Sequence, residues 1–281
     1  MKAKAIKIKT QDGYPIVTHV FEPSVSNAKI LLINTATGVK QQVYFAFAHF
    51  MQEHGYTVLT YDYRGIGDSK PKEMKGFHSN LKLWGTQDYA ALTQYLTQNY
   101  QHYQKFCLGH SVGALILGMN PDSQIFKKFV FVATQKSYLG HLRLKTKIEG
   151  YLGFGLVLPM TTKIFGYFPA QHFGLGESLP KGNAQDWRTL LLHPKSTNKV
   201  LEKTQDFSKN LTQETLMLWA NDDPWLTKTG VYKLFEETYP NLKPEFRRLK
   251  AEDSPEKEIG HINFFRKYNR PLWHQVLDFF E

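Results

Sequence analysis

Three short stretches of this chain carry side chains that can do chemistry together: Gly109-His110-Ser111-Val112-Gly113, the adjacent pair Asp222-Asp223, and Gly260-His261. A serine hydroxyl attacks nothing at neutral pH unless a base takes its proton and a third group orients that base. Ser111 is the candidate nucleophile, His261 the candidate base, and one of the two aspartates the candidate acid. The reaction such a set performs is acyl transfer through a covalent serine intermediate. Of the 11 histidines, His261 alone follows a glycine in a polar loop and precedes an amphipathic aromatic run, Ile262-Asn263-Phe264-Phe265-Arg266. The others show no ligand spacing such as H-E-x-x-H, and no metal site is expected.

The elements that must position these residues are legible around them. Phe106-Cys107-Leu108 is a short apolar run ahead of Ser111, and Ala114-Leu115-Ile116-Leu117 follows it, so strand, sharp turn and helix are implied. Glycines two positions either side of the serine allow a strained turn that lifts the hydroxyl clear of a sheet. Leu216-Met217-Leu218-Trp219 reads as a buried strand, and Ala220-Asn221-Asp222-Asp223-Pro224 as the turn at its carboxyl end. Either aspartate can serve at this stage. Strands are expected near residues 4–9, 15–21, 29–34, 56–61, 105–109, 128–133, 214–219 and 245–250, and helices over 43–54, 83–99 and 112–119. Their alternation favours a mostly parallel sheet covered by helices. In the first strand Ile6 and Ile8 alternate with Lys7 and Lys9, a pattern suited to a sheet edge.

With the order Ser, Asp, His, the chain resembles the α/β-hydrolase superfamily, and within it lidded serine hydrolases of the serine aminopeptidase and monoacylglycerol lipase type. Two further motifs carry the resemblance: Leu31-Leu32-Ile33-Asn34-Thr35-Ala36-Thr37-Gly38, and Tyr61-Asp62-Tyr63-Arg64-Gly65-Ile66-Gly67-Asp68-Ser69, which looks like a D-x-R-G-x-G-x-S loop. The resemblance implies a single domain over 1–281, an eight-stranded mostly parallel sheet, and a helical lid inserted after the sixth strand at about 136–210. It implies Asp223 as the acid, with Asp222 a solvated turn residue, and an oxyanion hole made by the backbone N–H groups of Ala36 and Val112. Where many members carry His-Gly ahead of the oxyanion residue, this chain has Asn34-Thr35. Tyr151, Phe154, Leu156, Val157, Leu158, Met160, Phe165, Tyr167 and Phe168 are expected to form the lid's apolar inner face, a few of them lining an acyl pocket.

Several residues carry a plainer reading. His110 is expected to be a packed neighbour, Asp62, Arg64 and Asp68 to fix their loop by buried hydrogen bonds, and Cys107 to be a small buried hydrophobe. The lone cysteine cannot form an intrachain disulfide and suits a reducing compartment, so a cytoplasmic location is expected. The 35 basic against 25 acidic side chains give a net charge of +10, spread without a dense block or nucleic-acid motif. No nucleic-acid partner is expected, and contact with an anionic membrane is a minor reading. The run Tyr151 to Met160 is too short to span a bilayer. The expected activity is hydrolysis of a small carboxylic ester with an apolar portion, without cofactor. Thioester hydrolysis or acyl transfer by the same groups, or ligand binding with little turnover, are the alternatives.

Overall fold

A computed structural model describes residues 3–281. Its strands are β1 (Lys4–Lys9), β2 (Pro15–Phe21), β3 (Lys29–Asn34), β4 (Tyr56–Tyr61), β5 (Gln104–His110), β6 (Lys128–Val132), β7 (Tyr167–Phe168), β8 (Leu179–Pro180), β9 (Glu214–Ala220) and β10 (Lys243–Leu249). Eight of them form one sheet in the order β1-β2-β4-β3-β5-β6-β9-β10, while β7 and β8 pair apart from it. β2 runs antiparallel to both β1 and β4, and the remaining neighbours are parallel. All eight expected main strands are present, and the lysine-alternating β1 is an edge.

The central strands are continuous apolar runs because both of their faces are covered. The helices are α1 (Phe45–Glu53), α2 (Leu81–Leu83), α3 (Ala90–Asn99), α4 (Val112–Leu115), α5 (Leu144–Leu152), α6 (Leu158–Phe165), α7 (Lys181–Leu192), α8 (Thr197–Leu201), α9 (Lys228–Glu237) and α10 (His274–Phe280). On one face, Phe47, Phe50, Trp273 and Phe280 from α1 and the C-terminal segment pack against Leu31, Val58, Phe106 and Val130. On the other, Leu92, Leu96, Leu115, Leu234 and Tyr239 pack against Leu32, Leu59, Cys107 and Phe131. The helix expected over 112–119 is shorter: α4 stops at Leu115 and a 3-10 turn follows at Leu117–Met119.

The chain adds β4 on one side of β3 and then crosses to add β5 on the other. At such a reversal the loops leaving the strand ends diverge and open a crevice, where ligands bind in open α/β sheets. The loop after β3 and the turn after β5 both lie there. Between β6 and β9 the chain makes the excursion that contains α5 to α8, β7 and β8.

Candidate active site

Ser111 sits between β5 and α4 with φ 52° and ψ −117°, backbone angles that few side-chain-bearing residues adopt. The turn is held in place: Ser111 N–H donates to the Val132 carbonyl at 2.9 Å, and the Thr134 hydroxyl donates to the Ser111 carbonyl at 2.8 Å. The flanking glycines are sterically required. A Cβ on Gly109 would come within 2.6 Å of the Ala114 Cα, and one on Gly113 would collide with the Asn34 carbonyl. Strain alone does not make a nucleophile. Ser196 has nearly the same backbone, φ 46° and ψ −116°, but is fully buried and its hydroxyl donates to the Leu190 carbonyl at 2.7 Å.

His261 approaches from the loop after β10. Its Nδ1 donates to Asp223 Oδ2 at 2.7 Å, and the Asp223 side chain is fully buried while that of His261 is 27% exposed. The other Asp223 oxygen accepts from the Trp225 N–H at 2.9 Å. The bond to Asp223 fixes the proton on Nδ1 and leaves Nε2 as the basic nitrogen. Ser111 and His261 line the same cavity, of about 200 Å³.

Asp222 is more than a solvated turn residue. Its two carboxylate oxygens accept from the Ile259 N–H at 2.9 Å and the Gly260 N–H at 3.0 Å. The two adjacent aspartates therefore have separate roles, Asp223 binding the imidazole and Asp222 binding the backbone just ahead of it. The resemblance pointed to Asp223 as the partner of the imidazole, but the backbone role of Asp222 has no signal in the sequence, because it depends on where the loop after β10 lands.

The two expected oxyanion donors differ in state. Val112 is the first residue of α4, so its N–H has no acceptor within the helix. Ala36 lines the cavity, but its N–H is not free: it donates to the hydroxyl of Tyr44 at 2.9 Å. Tyr44 is fully buried and its hydroxyl also meets His110 Nδ1 at 2.7 Å, while His110 Nε2 meets the His261 carbonyl at 2.8 Å. The donors run in one direction, from Ala36 N–H to Tyr44 oxygen, from Tyr44 O–H to His110 Nδ1, and from His110 Nε2–H to the His261 carbonyl. A buried polar chain thus ties the loop after β3 to the loop that carries His261. Burial, with His261 nearby, holds His110 well below the ordinary imidazole range, which keeps it neutral as this chain requires. Tyr44 and the role of His110 were not visible in the sequence, since residues 44, 110 and 261 share no local pattern.

The Asp62-to-Asp68 loop behaves as expected at two of its three polar positions. Buried Asp62 accepts from the Gln41 N–H and side chain, each at 2.8 Å, and from the Asp68 N–H at 2.9 Å. Arg64 is bound by buried Asp88 and by Asp12. Asp68 departs: it is exposed, and its side chain accepts from Gln42 at 2.8 Å. Cys107 is fully buried, and burial raises its thiol well above the ordinary value.

The excursion between β6 and β9 differs most from expectation. None of the nine residues assigned to its inner face lines the cavity; Gly174, Leu175, Gly176, Trp187 and Leu191 do. Phe154, Leu158 and Phe168 are buried against the body, but Tyr151, Leu156, Met160 and Phe165 are between 40% and 56% exposed. The reason is geometric. The α5–α6 rod is apolar on two opposite faces, and the sequence alone does not say which one packs. Phe154 packs edge-on against Trp187 at 4.8 Å between centroids, so the rod stands behind the cavity wall and does not form it.

Residues 27–135, which run from β3 through the serine turn to just beyond β6, match the serine aminopeptidase family S33. The architecture is the α/β-hydrolase fold. The chain shares this fold with a thermostable carboxyl esterase of Bacillus coagulans, at TM-score 0.68 and 12% identity over 100% of this chain and 98% of that one. It is likewise similar to an esterase of Pyrococcus furiosus, at TM-score 0.65 and 15% identity, covering 99% and 90%. A serine hydrolase of Xanthomonas campestris described as having no lid superposes at TM-score 0.55 and 14% identity, covering 99% and 93%. Curated protein sequences give no match. The matched stretch contains Ser111 and Ala36, whereas Asp223 and His261 lie beyond it.

Proposed function

We propose that the protein is a serine hydrolase that cleaves short-chain carboxylic esters through an acyl-enzyme on Ser111. The observation that carries this reading is the 2.7 Å bond from His261 Nδ1 to buried Asp223, in a cavity that His261 shares with the strained Ser111. His261 Nε2 takes the hydroxyl proton as Ser111 Oγ bonds to the ester carbonyl carbon, and Asp223 stabilises the imidazolium. The oxyanion is met by the Val112 N–H, and by the Ala36 N–H once it exchanges the Tyr44 hydroxyl for the substrate oxygen. The tetrahedral adduct collapses, the alcohol departs with the proton from His261, and a water activated by His261 then releases the acid.

Ester cleavage is favoured over aminopeptidase activity by the cavity wall. An aminopeptidase must hold a substrate ammonium, and a buried cation needs a carboxylate partner. Among the described residues no aspartate or glutamate lines this cavity, whose larger residues are Trp187, Leu191, Trp225, Leu226 and Ile262. Its size sets the acyl length. A cavity of about 150 Å³ holds benzene, so about 200 Å³ suits a short acyl chain and excludes a long one in this conformation. The segment at about 136–210 acts in this reading as a lid that supplies part of the wall, and the lone buried cysteine accords with a reducing, cytoplasmic setting. Thioester hydrolysis and acyl transfer would use the same groups.

The test is covalent labelling with a fluorophosphonate, alongside turnover of a nitrophenyl acyl ester. Wild type should be labelled, and Ser111→Ala should lose both labelling and turnover, the latter by about 10⁴-fold or more. Folded wild type that takes no label, or an alanine variant that labels equally, would leave a ligand-binding protein instead.

A further inference from the structure

The rod formed by α5, a π-helical turn at Gly153–Val157 and α6 carries two apolar stripes, each at four-residue spacing. Gly150, Phe154, Leu158 and Thr162 are buried against the body. Leu144, Ile148, Leu152, Leu156, Met160 and Ile164, offset by two positions, are 52% to 73% exposed. Four residues slightly exceed one α-helical turn, so such a stripe drifts around a straight helix. The wider π turn takes up part of that drift, and Arg188 Nε donates to the Phe154 carbonyl at 2.9 Å within it. Among the described residues, eight of the ten exposed large apolar side chains lie on this one rod.

An apolar patch of this kind is uncommon on a protein that meets only water. The charges beside it indicate what covers it. Arg143, Lys145, Lys147 and Lys163 flank the stripe, and Glu149 is the only acid between residues 143 and 165. Lys75 lies against Gly166 at the rod's end. Two copies meeting through this face would bring like charges together, while an anionic lipid surface would pair with them. Long basic side chains can also lay their stems along apolar surface and keep their charged ends among headgroups. No helix among the described residues is long and apolar enough to cross a membrane, so the geometry is that of a rod lying in the interface.

We propose that the outer face of the α5–α6 rod docks the protein onto anionic membrane surfaces. This goes beyond the hydrolytic reading and does not depend on it, since no residue of the stripe lines the cavity. The probe is sedimentation of the full chain with vesicles of phosphatidylcholine alone or mixed with phosphatidylglycerol, at low and high salt. Wild type should co-sediment with the anionic vesicles, and high salt should weaken this. Ile148→Gln/Leu152→Gln/Leu156→Gln should bind them about tenfold less or weaker still, with turnover of a water-soluble ester unchanged. Because these positions are exposed, circular dichroism should show the variant folded. Ser111→Ala should bind vesicles as wild type does, so failure of the hydrolytic reading and failure of this one are separate results. Wild type that ignores anionic vesicles, or a triple variant that binds as well as wild type, overturns the proposal. So does a wild-type dimer in solution that the triple substitution dissociates, which would assign the face to a second copy.

Discussion

At the scale of single residues, the adjacent aspartates make the sharpest comparison. Asp223→Asn keeps the shape but cannot hold the Nδ1 proton in the same way, so kcat should fall by about 10⁴-fold. Asp222→Asn loses carboxylate bonds to two amides ahead of His261 and should cost activity far less, because the imidazole keeps its partner. Steady-state kinetics of the two variants on one ester checks the ranking, and equal losses would contradict it. His110 gives a pH prediction whose sign follows from its direction of shift. Its folded value lies well below the ordinary 6.5 because the ring is buried. Below about pH 6.5 the unfolded chain binds a proton here that the folded chain refuses, so stability falls with falling pH, by up to about 1.4 kcal/mol per unit from this group. Urea unfolding of wild type and His110→Asn between about pH 7.5 and pH 5 should show a shallower slope in the variant. Tyr44→Phe leaves a buried N–H and a ring nitrogen without their partner, and should lower stability by about 1–3 kcal/mol.

At the scale of elements, the strand-turn-helix around Ser111 was readable because its requirements are local. Two glycines, an apolar strand and a short helix suffice to specify a serine at positive φ. Gly113→Ala tests this directly: the new methyl collides with the Asn34 carbonyl of β3, so β3 or α4 must shift. Thermal unfolding should show a marked drop in Tm, and an unchanged Tm would mean the turn is looser than described. The eight main strands were legible for the same local reason, as runs that are apolar throughout or alternate with lysine. The α5–α6 rod was not. Its hydrophobic residues recur every four positions on both sides, so periodicity identified a helix-like apolar segment without saying which side faces the body.

At the scale of the whole molecule, the order of the strands creates the site. β3 and β5 lie side by side with the chain turning opposite ways from them, and this brings the Ala36 loop beside Ser111. The cavity that results is small, and a panel of nitrophenyl esters should show kcat/KM highest for short acyl groups and falling steeply for long ones. Equal turnover of long-chain esters would require the excursion between β6 and β9 to move. Its wall from Gly174 to Gly176, together with Trp187 and Leu191, is what would have to open.

The order of the elements, the serine turn and the presence of a histidine and a carboxylate downstream could all be read from the chain unaided, since each depends on neighbours within a few positions. Packing in three dimensions made the other choices: that Asp222 holds the backbone ahead of His261, that Tyr44 holds the Ala36 amide, and that the cavity is walled by residues 174–176, 187 and 191. Those choices join segments far apart along the chain. They follow from which faces are left to pack once the sheet is assembled, and no local spacing encodes that.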